Sequence, residues 1–263
     1  MFKSFGIKVP PQIIDNVSDK RKFGRFALLL IIARSIFLLL SQGIIALILL
    51  LMKDSDPWEN SSKWWTVYGT ITDIGCLTLV LVFLKKEKKK FWSIINFSYK
   101  RILKDILAGV LIFIIIFPVT GMLFSMLLNN IIYDGVSFDV LYPGMITDRV
   151  LPVWAYYYSL LIWWPIWSFT EEVTYQGYCM PRLIVYFKNP IKVIMLIGFF
   201  WALQHCFLPF IPDWRYLLYR LISFFPIVVA LIFAYIKTGR LVPIIIAHYL
   251  MDFMAAWWTL KHV

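Results

Sequence analysis

The chain has 263 residues, of which 61% are hydrophobic, 18% aromatic and only 16% charged, with a formal net charge of +11. That make-up lies outside the range of soluble domains and points to an all-α, polytopic membrane helical bundle. The lysines and arginines cluster between apolar runs and do not line one polar face, so they mark membrane topology and argue against a nucleic-acid partner.

Residues 1–25 carry Lys3, Lys8, Lys20, Arg21, Lys22 and Arg25, a basic tail expected at the cytoplasmic surface. Residues 26–150 read as a three-span region and 151–263 as a catalytic core. The first span, 26–52, contains Arg34, which is expected either to snorkel toward the interface, the favoured reading, or to face a partner helix. An acidic loop with Asp54, Asp56 and Glu59 follows, read as external, and then a second span over 64–84. The run Lys85 to Lys90, with Lys100, Arg101 and Lys104, is the strongest cytoplasmic marker. Span three, 105–128, leads to a loop holding Asp134, Asp139 and Asp148 on the opposite face.

Residues 151–187 are too long for one straight span, and Pro165 is expected to divide them. The first part, 151–164, is rich in Trp and Tyr and suits an interfacial or re-entrant segment. The second, 166–187, is span four, with Pro181 as a kink. Spans five, six and seven follow over 193–210, 216–236 and 241–260. Seven spans fit the charges; counting 151–164 as a full crossing gives eight. The N-terminus is then cytoplasmic in a cell membrane, of bacterial type given the short loops.

Within span four the stretch SFTEEVTYQGYCMPR holds adjacent carboxylates, Glu171 and Glu172, inside an apolar, aromatic-rich segment. A charged side chain at membrane depth costs a few kcal/mol on insertion scales, about 3, so such residues point to function. Two of the three histidines, His205 and His248, also fall within expected spans, and Asp252 follows His248 by one helical turn, on the same face. At about 1.5 Å per residue these groups lie at comparable depths, so three helices can deliver them to one buried pocket. Paired carboxylates with histidines suit water activation: a base takes a proton from water, a donor steadies the oxyanion and an acid protonates the leaving amine. His205, His248 and Asp252 equally offer a two-histidine and carboxylate set for zinc, so a metal-free site and a zinc site both remain open. Cys76, Cys179 and Cys206 lack paired spacing or a C-x-x-C motif, and no glycine-rich loop for a nucleotide is present.

The order of these groups, Glu-Glu, then Trp201 four residues before His205, then His248 four before Asp252, resembles the CAAX-protease and bacteriocin-processing (Abi) family of intramembrane endopeptidases. The resemblance covers about 165–255. It implies that Glu171 or Glu172 activates water, that His205 assists, and that His248 with Asp252 holds the oxyanion or a metal. Trp201 replaces the usual phenylalanine, and Gln176 stands where the family's first motif has arginine. Glutamine can hydrogen-bond to Glu172 but cannot neutralise it, so weakened catalysis, or a site kept only for binding, is expected. Tyr175, Gln176 and Trp201 are candidates for contact with substrate. The substrate is expected to be a hydrophobic or lipidated peptide or protein, cleaved near the cytoplasmic half of the bilayer for peptide maturation or self-immunity against bacteriocins. The competing readings are a non-catalytic membrane scaffold or immunity protein, and a small transporter using the Glu and His residues as a proton relay.

Overall fold

The computed structural model describes residues 20–142 and 151–260; the basic tail to residue 19, Asp148 and His262 lie outside the described residues. The chain is helical throughout this part. Helix α1 spans Lys20–Leu51. Its buried positions, Ala27, Leu30, Ile31, Arg34 and Leu38, recur at three- and four-residue spacing and form one face. The opposite face exposes Leu29, Ile32, Ile36, Leu40 and Leu47. A soluble protein does not tolerate an apolar surface of that extent, whereas hydrocarbon does.

A short helix at Pro57–Ser61 leads into α2, Trp65–Lys86, which returns antiparallel to α1 and is joined to it by Ser41 and Thr72 at 3.2 Å. Helix α3 then runs over 102–133, with a π-helical segment at Phe117–Leu123. By length and hydropathy four helices are able to cross a membrane: 21–51, 57–86, 92–133 and 214–238. Two shorter apolar helices stand at Pro190–Gln204 and Leu241–Met254.

The expected break at Pro165 is absent, and 151–164 is not a separate segment. Residues 153–187 form one continuous helical run, α4, containing two π-helical segments, Ser159–Trp163 and Val173–Cys179. Each precedes a proline, Pro165 and Pro181. A proline lacks the N–H for the i→i−4 bond and crowds the carbonyl four residues back. A π turn closes i→i+5 and widens the backbone there, so the helix passes both prolines without ending. Every residue from 170 to 184 is buried. The other helices pack around this run, and the glutamate pair sits in its middle.

Helix α5 spans Pro190–Gln204, opened by Asn189, whose side chain accepts from the Lys192 N–H at 3.1 Å. It stops at Gln204, so His205 is the C-cap of this helix and not an interior residue as the 193–210 span requires. Helix α6, Trp214–Thr238, is capped by Asp213 and ended by Gly239, whose φ of 65° is the left-handed conformation glycine adopts without strain. Helix α7 is Leu241–Leu260.

Ion pairs and aromatic contacts identify the two ends of the bundle. At the end carrying the basic loops, Arg182 binds Glu87 and Arg240 binds Asp105. At the other end Tyr142 donates to Asp213 at 2.8 Å, Phe138 stacks on Tyr219 and Trp58 meets Phe210 edge-on.

Candidate active site

Three helices deliver the residues singled out from the sequence. Helix α4 supplies Glu171 and Glu172, both fully buried; α5 supplies Trp201, Gln204 and, at its end, His205; α7 supplies His248 and Asp252. The motifs converge, and the two glutamates are treated very differently.

Glu171 is saturated with donors. Its Oε1 accepts from Gln204 Nε2 at 2.6 Å and from Arg34 Nη2 at 3.3 Å, and its Oε2 accepts from the Trp201 indole at 2.5 Å. A carboxylate gathering a cation and two further N–H groups has its acceptor sites engaged and its position fixed. Arg34 is the surprise. It does not snorkel: it is wholly buried, donates through Nε to Gln204 Oε1 and through Nη2 to Asp73 Oδ1 at 2.8 Å, and lies 4.4 Å from the centre of the Trp167 ring. Water at the interface cannot compete, because the partner carboxylates Asp73 and Glu171 are themselves buried on the facing helices and would otherwise lack a counter-charge. Glu171 thus has a cation from α1, whereas Glu172, the carboxylate an arginine at position 176 would face, has none from that helix.

Asp73 and Gln204 were not foreseen as site residues. The signal for Asp73 was present, since a lone carboxylate in span two and a lone guanidinium in span one are opposite charges at membrane depth and pair almost by necessity.

Glu172 faces His248. The distance from Glu172 Oε1 to His248 Nδ1 is 2.9 Å. A carboxylate oxygen accepts, so Nδ1 carries the hydrogen and Nε2 points the other way. Nε2 lies 3.7 Å from Glu171 Oε2 and 3.6 Å from Asp252 Oδ2. Both separations exceed a direct hydrogen bond and match the gap that one bridging water spans. Glu172 Oε2 and Asp252 Oδ2 are buried with no protein partner.

A cavity of about 150 Å³ opens beside these groups, lined by His248, Asp252, Trp201 and His205 together with Phe224 and Ile227. His205 Nδ1 lies 2.9 Å from the Trp201 carbonyl, and its ring stacks on Phe224 at 3.7 Å. A carbonyl only accepts, so Nδ1–H donates and Nε2 is the acceptor of the neutral ring. Arg220 fixes the turn by donating to the His205 carbonyl at 2.9 Å. The neighbouring Cys206 thiol donates to the Leu217 carbonyl, away from the imidazole.

Of the three substrate-contact candidates, Trp201 lines the cavity; Tyr175 and Gln176 are not among its lining residues. Tyr175 stacks on Trp201 at 5.1 Å and donates to Gln204 Oε1 at 3.1 Å, so it braces the residues that hold Glu171. Gln176 is fully buried, and neither its Oε1 nor its Nε2 finds a partner. Among the described residues no three His, Cys, Asp or Glu side chains gather closely enough to hold a metal ion. His205 in particular is turned onto Trp201 and Phe224, and does not join the set with His248 and Asp252.

Comparison with known proteins gives one match. A family model described as type II CAAX prenyl endopeptidase Rce1-like matches residues 150–254, the stretch that contains the glutamate pair and both histidines. No curated protein and no solved structure matches the chain.

Proposed function

We propose that this chain, whose residues 150–254 match the family model of the Rce1-like type II CAAX prenyl endopeptidases, is an intramembrane endopeptidase that hydrolyses a peptide bond in a hydrophobic or lipidated peptide substrate. The observation that carries the mechanism is the 2.9 Å bond from His248 Nδ1 to Glu172 Oε1, made between two helices at the cavity wall. It gives His248 a fixed tautomer, with the Nε2 lone pair directed toward the cavity and toward the oxygens of Glu171 and Asp252.

A water that donates one hydrogen to Nε2 and the other to Asp252 Oδ2 is the nucleophile. As its oxygen bonds to the substrate carbonyl carbon, its proton passes to Nε2, and the Nδ1–H bond to Glu172 steadies the imidazolium that forms. Collapse of the tetrahedral intermediate breaks the C–N bond, and His248 returns the proton to the departing amine. His205, with Nδ1 committed to Trp201, offers Nε2 as an acceptor for a substrate backbone N–H. Glu171 fixes the arrangement through its bonds to Trp201, Gln204 and Arg34.

Seven crossings of a cell membrane, with a cytoplasmic N-terminus, agree with the alternating loop charges and with the long helical runs. Cleavage assays on the purified protein in proteoliposomes, with lipidated and unmodified hydrophobic peptides, test the proposal. His248→Ala and Glu172→Ala should each lower kcat by about 10²- to 10⁴-fold, the usual worth of a general base and its orienting partner. Cleavage unaffected by both, in protein that remains folded, overturns the mechanism. A biological effect that persists in both variants without cleavage favours the scaffold or immunity reading.

A further inference from the structure

The inner cavity is not isolated. A second, larger cavity of about 470 Å³ adjoins it, lined by Met122, Met126, Asn129, Asn130, Phe138 and Tyr219. The two share Gly121 and Ser125 on α3, where the π-helical segment widens the turn. Together they run from His248 to the end of the bundle marked by Tyr142–Asp213 and by Phe138 on Tyr219.

Toward the opposite end, two pairs of helices meet closely. A Cβ on Gly109 of α3 would stand 2.7 Å from Ile246 and 2.8 Å from the Pro243 carbonyl of α7, so these helices touch backbone to backbone. A Cβ on Gly198 of α5 would likewise stand 2.8 Å from Val229 of α6. The Arg240–Asp105 ion pair ties α3 to the start of α7 beyond that contact. A substrate coming from the side of the basic loops would have to separate packed helices, whereas from the other side a cavity leads to His248.

The lining favours one kind of occupant. Asn129 donates through Nδ2 to the Val136 carbonyl at 2.9 Å, while its Oδ1 is buried without a partner. Ser125, bonded to Tyr219, and the exposed Asn130 and Ser137 add polar groups beside Met122 and Met126. A hydrocarbon chain would leave the Asn129 oxygen unmet in a low-dielectric environment, and a peptide N–H would satisfy it. The inner cavity, about 150 Å³, matches the volume that holds a benzene-sized group, about 150 Å³ in an engineered core.

We infer that the site is reached from the end of the bundle opposite the basic loops, by an extended hydrophobic peptide that lies along α3 in the outer cavity and seats one apolar side chain of leucine or phenylalanine size beside His248. The hydrolytic reading is needed only for the fate of that peptide; access and binding are independent of it.

Cysteine labelling in sealed proteoliposomes tests the inference. The native cysteines Cys76, Cys179 and Cys206 are buried, which keeps the background low. Ser55→Cys reports the end where the outer cavity lies and Lys90→Cys reports the basic end, both at exposed positions. A membrane-impermeant maleimide should reach Ser137→Cys and Ser125→Cys from the side that labels Ser55→Cys. A synthetic peptide of leucine and phenylalanine should slow labelling of Ser125→Cys by roughly tenfold at about ten times its Kd, with no effect on Ser55→Cys. Labelling of Ser125→Cys from the Lys90→Cys side, its failure to label from either side, or labelling indifferent to the peptide overturns the inference. Repeating the experiment with Glu172→Gln, which does not line the cavity, separates the two proposals, since loss of cleavage leaves labelling and protection intact.

Discussion

Replacing Arg34 by methionine removes the guanidinium that joins Asp73, Gln204 and Glu171, and the cost can be worked from burial. Arg34, Asp73 and Glu171 have side chains with no solvent exposure. Once the guanidinium is gone, neither carboxylate can recover hydration without opening the bundle. Breaking a buried ion pair by removal of one partner costs about 3–5 kcal/mol, far more than an exposed pair is worth. Arg34→Lys should recover only part of the loss, because a point-like ammonium cannot serve Gln204 through one nitrogen and two carboxylates through another. Asp73→Asn alone should cost less than Arg34→Met, since the guanidinium keeps Glu171. The double variant closes a cycle with a coupling of about 0.5–3 kcal/mol. Reversible unfolding in mixed micelles, followed by tryptophan fluorescence, reads all four proteins. Cleavage should fall in Arg34→Met and return in part in Arg34→Lys, because Glu171 then keeps some of its position. An Arg34→Met protein within about 0.5 kcal/mol of the parent, the range of ordinary surface changes, would refute the reasoning and return Arg34 to the interface.

The buried amide of Gln176, with no partner for either polar atom, makes Gln176→Met stabilising by about 1–3 kcal/mol, the cost of leaving a buried polar group unmet; the same unfolding assay measures it. Gln176→Arg, which restores the family pattern, should gain no activity and lose stability, since it buries a second cation near a Glu171 already served by Arg34. In the Arg34→Met background it should instead restore part of the cleavage. Chelator treatment should leave cleavage unchanged, and metal analysis of the purified protein should find no stoichiometric zinc.

Much of the helical order was legible because apolar runs bounded by lysine, arginine, proline and glycine are set by local chemistry. The basic run Lys85 to Lys90, which the structure places at the end of α2 and just beyond it, is of this kind. The site motifs were legible because charge and imidazole are rare in the spans. The continuity of α4 was not. Proline in a helical pattern predicts a boundary, and whether a π turn absorbs it depends on neighbours that hold the widened turn, which in 173–179 are all protein. The partner of Arg34 was not legible either, because snorkelling and pairing leave the same residue in the same span. Only the placement of α1 against α4 and α2 distinguishes them.

Those two failures have a common physical root. The π segment that begins after Glu172 closes i→i+5, so residue 176 is no longer one ordinary turn from Glu172. An arginine motif read at α-helical spacing assumes a geometry that this helix lacks, and the unpartnered amide of Gln176 is what remains at that position. Glu171 meets its cation from α1, where Arg34 Nη2 lies between it and Asp73 Oδ1. Glu172, the carboxylate that an arginine at 176 would face at α-helical spacing, is bound instead by His248 from α7.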